Sequence, residues 1–191
     1  MSPRSNKQFQ EIREASKQKI LDAALELFGT TGYEASSMAQ IAKKSGVSKG
    51  LIYNYFDSKE ELLKGMIENL TSIGENMLEE MMSEDPKKTL ENIFRMTFKW
   101  LRKNDKMNRL IFSLTLQVDR FEFVHNLANA KMQEYLGLLE SLLEQINFPN
   151  HHTEARILAT LFDGISIHYL VLKEDYPLDE IEKMLIKKYC S

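Results

Sequence analysis

Between Ser36 and Phe56 the chain reads SSMAQIAKKSGVSKGLIYNYF, with Ala42, Gly46, Val47 and Ile52 at spacings that leave little freedom. Two short helices joined by a turn of about four residues cross steeply at close range. Their contact needs a small side chain, and the turn needs a residue that tolerates positive φ. Ala42 and Gly46 are those residues. Met38, Ile41 and Ala42 form one apolar face and Leu51, Ile52, Tyr55 and Phe56 the next, while Ser36 or Ser37 can cap the first helix and Ser48 the second. This is a helix-turn-helix pattern. Its second helix would present Ser48, Lys49, Gly50, Tyr53 and Asn54 outward, in the manner of a helix that enters a DNA major groove.

The flanking sequence is helix-periodic throughout. Ile20, Leu21, Ala24, Leu27 and Phe28 predict a helix over 16–28, with Ser16 as a candidate N-cap and Gly29 and Gly32 after it. Asp57 or Ser58 is placed to cap a long helix running to about Met82, and acidic residues in its first turn suit the helix dipole. Pro86, Pro149 and Pro177 punctuate further helices near 86–103, 106–118, 121–146, 152–174 and 178–189. No stretch alternates as a strand would. The expected fold is all-α, about nine helices, with a three-helix head over 1–60 and a larger helical body over 61–191. The polar arm from Ser2 to Glu14 either extends the first helix or stays irregular.

Charge separates the two parts. Residues 1–59 hold nine Lys or Arg against six Asp or Glu, a balance of +3, and the remainder carries −6. A basic head on an acidic body suits one local anion site. Export and membrane insertion are not indicated, because the N-terminus lacks an apolar signal core and no run of about 18 uncharged apolar residues occurs. A cytoplasmic protein is expected. Cys190 is the single cysteine, so an intrachain disulfide is excluded. His151 and His152 are the one close His pair and have no third ligand nearby. With neither a nucleophile elbow nor a Gly-rich phosphate loop, no catalysis, metal or cofactor is expected.

The segment ILDAALELFGTTGYEASSMAQIAKKSGVSKGLIYNYFDSKEELL resembles the N-terminal domain of the TetR/AcrR transcriptional regulators. The likeness covers about Ser16 to Leu63 and keeps AALELF, the following GY, IAKKSGVSKG and YFDSKEEL in order and spacing. It implies phosphate contacts by Ser37, Ser48, Gly50 and Lys59, and contact of Tyr53 with phosphate or a thymine methyl. Where the family commonly has YYHF, this chain has YNYF. Asn bonds an adenine edge bidentately, so Asn54 is a candidate base reader. Lys49 can reach guanine O6 and N7 or a phosphate, and phosphate is the favoured reading. Tyr55 stands with these residues, although it shares the face of Leu51 and Ile52 and packing suits it better. Lys43 and Lys44 read as a solvated helix face.

The resemblance also implies a body that dimerises and encloses a small-molecule effector, which releases the dimer from a palindromic double-stranded DNA operator. The residues fit each part. Between 152 and 174, Leu158, Leu161, Phe162, Ile165, Tyr169 and Leu172 occupy one side and Ile157, Ile167, Leu170 and Val171 another, so the helix needs two packing surfaces. With Leu178, Ile181 and Leu185 it would form a homodimer interface of four helices, from Thr153 to Tyr189. Residues 60–191 contain eight Met and seven Phe. Met adapts to irregular space, so an apolar or aromatic ligand is expected among Met77, Met81, Phe94, Phe98, Trp100, Phe112, Phe121, Phe123, Met132, Tyr135, Phe162 and His168. Asp119, His125 and His168 are candidate polar groups to orient it. Repression rather than activation rests on the resemblance alone.

Overall fold

A computed structural model describes residues 6–115 and 121–191. Among them are nine α-helices: α1 (Asn6–Thr30), α2 (Met38–Ser45), α3 (Lys49–Tyr53), α4 (Lys59–Met81), α5 (Pro86–Lys103), α6 (Asp105–Thr115), α7 (Glu122–Gln145), α8 (His151–Leu172) and α9 (Leu178–Cys190). A 3-10 turn, Lys173–Asp175, follows α8. Pro86 occupies the first turn of α5, where its missing N–H costs no helical bond.

The first helix takes the extended alternative for the arm, and the expected Ser16 cap is not made. It starts at Asn6, ten residues before Ser16, and the Ser16 hydroxyl donates to the Ile12 carbonyl at 2.8 Å instead of capping. Lys, Gln, Glu, Ile, Arg and Ala fill that stretch without Pro or Gly, so nothing halts propagation toward the N-terminus. The arm beyond Asn6 lies outside the described residues, as does Asp119.

Two apolar clusters hold the helices together. The first takes Ile20, Ala24 and Phe28 from α1, Ile41 from α2, Ile52 from α3 and Leu62, Leu63 and Met66 from α4. It continues past residue 60 into Leu110 and Leu114 of α6, Phe121, and Val124 of α7. The second joins α5, α7, α8 and α9, with Phe94, Phe98, Leu139, Leu158 and Tyr189 at its centre. Arg102 of α5 pins α9 through Glu182 at 2.7 Å and Asp179. Tyr189 and Lys188 of α9 reach Glu154 of α8 at 2.6 and 2.7 Å. Cys190 lies half-buried beside this cluster, and desolvation pushes its thiol up to about 11.

One close approach joins the two parts. A Cβ built on Gly29 would lie 2.4 Å from the Lys106 carbonyl oxygen, so glycine lets α1 meet the start of α6 backbone to backbone. The Glu26 carboxylate bridges the same region, at 3.0 Å from Lys44 of α2 and 3.2 Å from Lys106 of α6. Hydrogen bonds from Lys44 first and Lys106 second hold its carboxyl below the usual range. Lys44 is therefore tied into the fold rather than only solvated.

Candidate functional site

The small helices owe their geometry to side-chain caps. Ser37 caps α2: its Oγ accepts from the Gln40 N–H at 3.3 Å, and Gln40 Oε1 accepts from the Ser37 N–H at 2.8 Å. Ser36 instead donates its hydroxyl to the Gly32 carbonyl at 2.7 Å. Gly46 ends α2 at φ 72°, and the Val47 N–H reaches the Ala42 carbonyl at 3.1 Å. Ser48 then caps α3 by accepting from the Leu51 N–H at 3.1 Å. Ser58 does the same for α4 through the Glu61 N–H at 3.0 Å.

These caps leave α3 held from beneath by buried Ile52 and by Phe56, with Ser48, Lys49, Gly50, Tyr53 and Asn54 exposed along one side. Tyr53 is 42% exposed, a large fraction for a ring that packing alone would place inside. Asn54 forms the C-cap, its N–H bonded to the Leu51 carbonyl at 3.1 Å, and its side chain is in solvent. Tyr55 is half-buried against the first cluster, with the Arg13 guanidinium 5.7 Å from its ring centroid. Lys59 is turned inward: its ammonium donates to the carbonyls of Tyr33, Ser36 and Glu34 at 2.8, 3.1 and 3.4 Å.

Between α4, α5, α6 and α7 lies a cavity of about 1080 Å³. Of the twelve expected wall residues, Met77, Met81, Trp100 and Tyr135 line it. Phe94, Phe98 and Phe162 do not, because they stack on one another in the second cluster at 5.6 and 6.3 Å between ring centroids. Phe121 and Phe123 pack with the first cluster, Phe112 is half-buried elsewhere, and Met132 is 45% exposed. The exposed His168 ring meets Tyr176 instead, and His125 faces solvent. The reason is helical phase. On α5 the cavity takes 96, 97 and 100 while 94, 98 and 101 face the second cluster. On α7 it takes 124, 127, 128, 131, 134, 135 and 138, a stripe that omits 132.

The wall is mostly aliphatic and Met-rich, and Met82, Met96 and Met107 join it although sequence reasoning passed them over. Its charged members were also missed. Lys131 of α7 spans to Glu75 of α4 at 2.6 Å and to Glu134 at 2.8 Å. Hydrogen bonds donated to Glu134 first and Glu75 second raise its ammonium pKa. Burial raises the Tyr135 phenol above its ordinary value, with a smaller push from the Asp163 charge. The α7 stripe was the signal in the sequence that would have found this wall.

Residues 20–66 match the model of the bacterial regulatory proteins of the tetR family. Beyond that segment, the chain is 31% identical over 152 residues to the HTH-type transcriptional regulator AcrR of Shigella flexneri, covering 78% of this chain and 69% of that protein. The chain belongs to the TetR/AcrR family. This TetR-family chain is also 29% identical over 129 residues to the fatty acid metabolism regulator protein of Bacillus subtilis, 66% of each. Across the first curated relatives it spans from 25% to 66% of their lengths. In fold it is similar to the transcriptional regulator FadR from Bacillus subtilis in complex with stearoyl-CoA, with a TM-score of 0.73 and 23% identity over 91% of this chain and 97% of that one. The family is one of helix-turn-helix DNA-binding transcriptional regulators and not of enzymes.

Proposed function

We propose that the chain is a cytoplasmic, ligand-responsive repressor that binds a palindromic operator as a homodimer and is released by a small apolar effector. Residues 1–60 are the reading head in this account and 61–191 the body. The observation that carries it is the double membership of α4: Leu62, Leu63 and Met66 sit in the core beneath α3, and the helix from Ile67 onward lines the cavity. Whatever fills that cavity bears on the element that seats the head. Ser48, Lys49, Gly50 and Tyr53 meet backbone or base edges, and Asn54 reads a base. Ser37, engaged in its cap, supports the start of α2 beside the duplex.

Dimerisation is supported by the outer face of α8 and α9. Val171 is 73% and Met184 71% exposed, and Ile157, Leu161, Ile167 and Leu172 of α8 are exposed as well. Residues 151–175 are long and apolar enough, by length and composition alone, to cross a membrane. A second copy packed on the same face accounts for those residues without one. The stearoyl-CoA bound by the FadR of similar fold makes long acyl compounds the first effectors to try. A near-complete switch needs the effector to discriminate between the two dimer states by about 5 kcal/mol.

The test is selection of bound sequences from random duplex DNA by the purified protein, repeated with Tyr53→Ala and Asn54→Ala. The expected result is a palindrome for wild type, weaker binding for the first variant, and relaxed choice at one position for the second. The induction half fails if DNA affinity stays constant with every small molecule that measurably binds the body.

A further inference from the structure

Lys59 heads α4, the place where the resemblance implies a phosphate contact. An ammonium offers three N–H donors. Here the carbonyls of Tyr33, Ser36 and Glu34 converge on it, and Nζ lies 4.2 Å from the centroid of the Tyr33 ring. All three carbonyls belong to the segment joining α1 to α2, and the next residue, Ser37, supplies the cap of α2. The Tyr33 ring is itself buried, 5.1 Å from Phe28 and edge-on to Phe121 at 5.2 Å. Phe121 immediately precedes α7, and one turn on Val124 forms part of the cavity wall.

We propose that Lys59 is a positioning residue of the reading head and not a phosphate ligand. Its ammonium fixes the α1–α2 segment, and with it the start of α2, against the first turn of α4. Through Tyr33 and Phe121 the same cage registers where α7 stands, so the cavity reaches the head by a path of stacked rings in addition to α4. The inference rests on the DNA-reading function proposed above.

Two physical differences separate this role from a phosphate contact. Each phosphate contact contributes about 0.9 to the slope of log affinity against log salt, or about 1.8 for a dimer that uses one per protomer. Arginine also binds phosphate at least as well as lysine, whereas its planar fork cannot direct three donors from one nitrogen at three converging carbonyls.

The experiment measures the dissociation constant of the folded dimer for the palindromic duplex that wild type selects, between about 50 and 200 mM salt. The variants are Lys59→Met, Lys59→Arg, Phe121→Leu and the double variant Lys59→Met with Phe121→Leu, with folding checked by thermal melting. Both Lys59 variants are expected to weaken binding about tenfold, with the salt slope of wild type. Phe121→Leu, remote from the duplex, is expected to weaken it about threefold, and the double variant by less than the product of the two. A slope lowered by about 1.8 in Lys59→Met, with affinity kept in Lys59→Arg, would make Lys59 a phosphate ligand and overturn the proposal. Phe121→Leu with a lowered melting temperature and a wild-type dissociation constant would remove the link to α7. If wild type selects no duplex, the DNA-reading function fails first, a result distinct from either of these.

Discussion

Over its first two turns α4 is packed as closely as any part of the molecule: Leu62 and Leu63 are wholly buried and Met66 nearly so. Farther along the same helix Ser72, Ile73 and Asn76 are exposed, and the inner side faces a cavity of about 1080 Å³ rather than other side chains. Protein interiors seldom leave voids larger than a water molecule. The contrast shows how one helix can be fixed at one end and accommodating at the other. The head must hold one geometry to read a surface, so its apolar residues meet each other. Around the cavity the body keeps its apolar residues unmatched, which leaves room for a guest.

The largest expected effect tests the packed end. Phe28→Ala should cost about 3–5 kcal/mol in chemical denaturation, whereas Met77→Ala on the cavity wall should cost under about 1 kcal/mol because its neighbours already face space. Equal losses would break the comparison. Val171→Glu places a charge on the exposed face of α8 and should yield monomers in sedimentation, with DNA affinity lower by on the order of 100-fold as the two heads lose their linkage. Its denaturation midpoint as a monomer reports the head and body without the partner.

Smaller effects probe the seam. Gly29→Ala drives a methyl group into the Lys106 carbonyl and should cost about 1–3 kcal/mol in thermal unfolding. Thr97→Leu fills part of the cavity and should stabilise by about 0.5–1 kcal/mol while weakening effector uptake in calorimetry. The smallest effect is a pH control in the second cluster. Lys188 first, and then the Tyr189 hydroxyl, hold the Glu154 carboxyl below its ordinary 4.5. Its contribution is therefore complete above about pH 4.5 and is lost as pH falls through the lowered folded value. Lys188→Met should make acid unfolding below that pH shallower, by under about 0.5 kcal/mol.

The sequence was most informative where local chemistry decides structure. Ser48, Gly46, Ser58 and Pro86 mark helix ends by interactions within a few residues, and the structure places each as read. The start of α1 stays open between two readings in the sequence because a good helix former has no internal signal for stopping, and Ser16 looks the same whether it caps or bonds back to Ile12. For Lys59 the resemblance implies a phosphate contact, and nothing in its sequence neighbours reveals the three carbonyls, 23 to 26 residues away, that its ammonium meets. The cavity was misjudged through a plausible preference for aromatic rings. Large rings fill cores well, so Phe94, Phe98 and Phe162 went to the closed cluster, while slimmer Met, Leu and Thr side chains were left around the opening. Periodicity shows that a helix has two apolar faces, and only tertiary packing decides which of them closes.

Cys190 offers a practical return on an unremarkable position. Its thiol, pushed up to about 11, stays protonated at neutral pH, and the thiolate is the form that reacts with maleimides and iodoacetamides. The chain therefore arrives with its native sulfhydryl quiet. Lys43→Cys, on the solvated face of α2, would take a fluorophore selectively without removing the native cysteine, giving an optical record of the distance between the two heads as DNA and effector come and go.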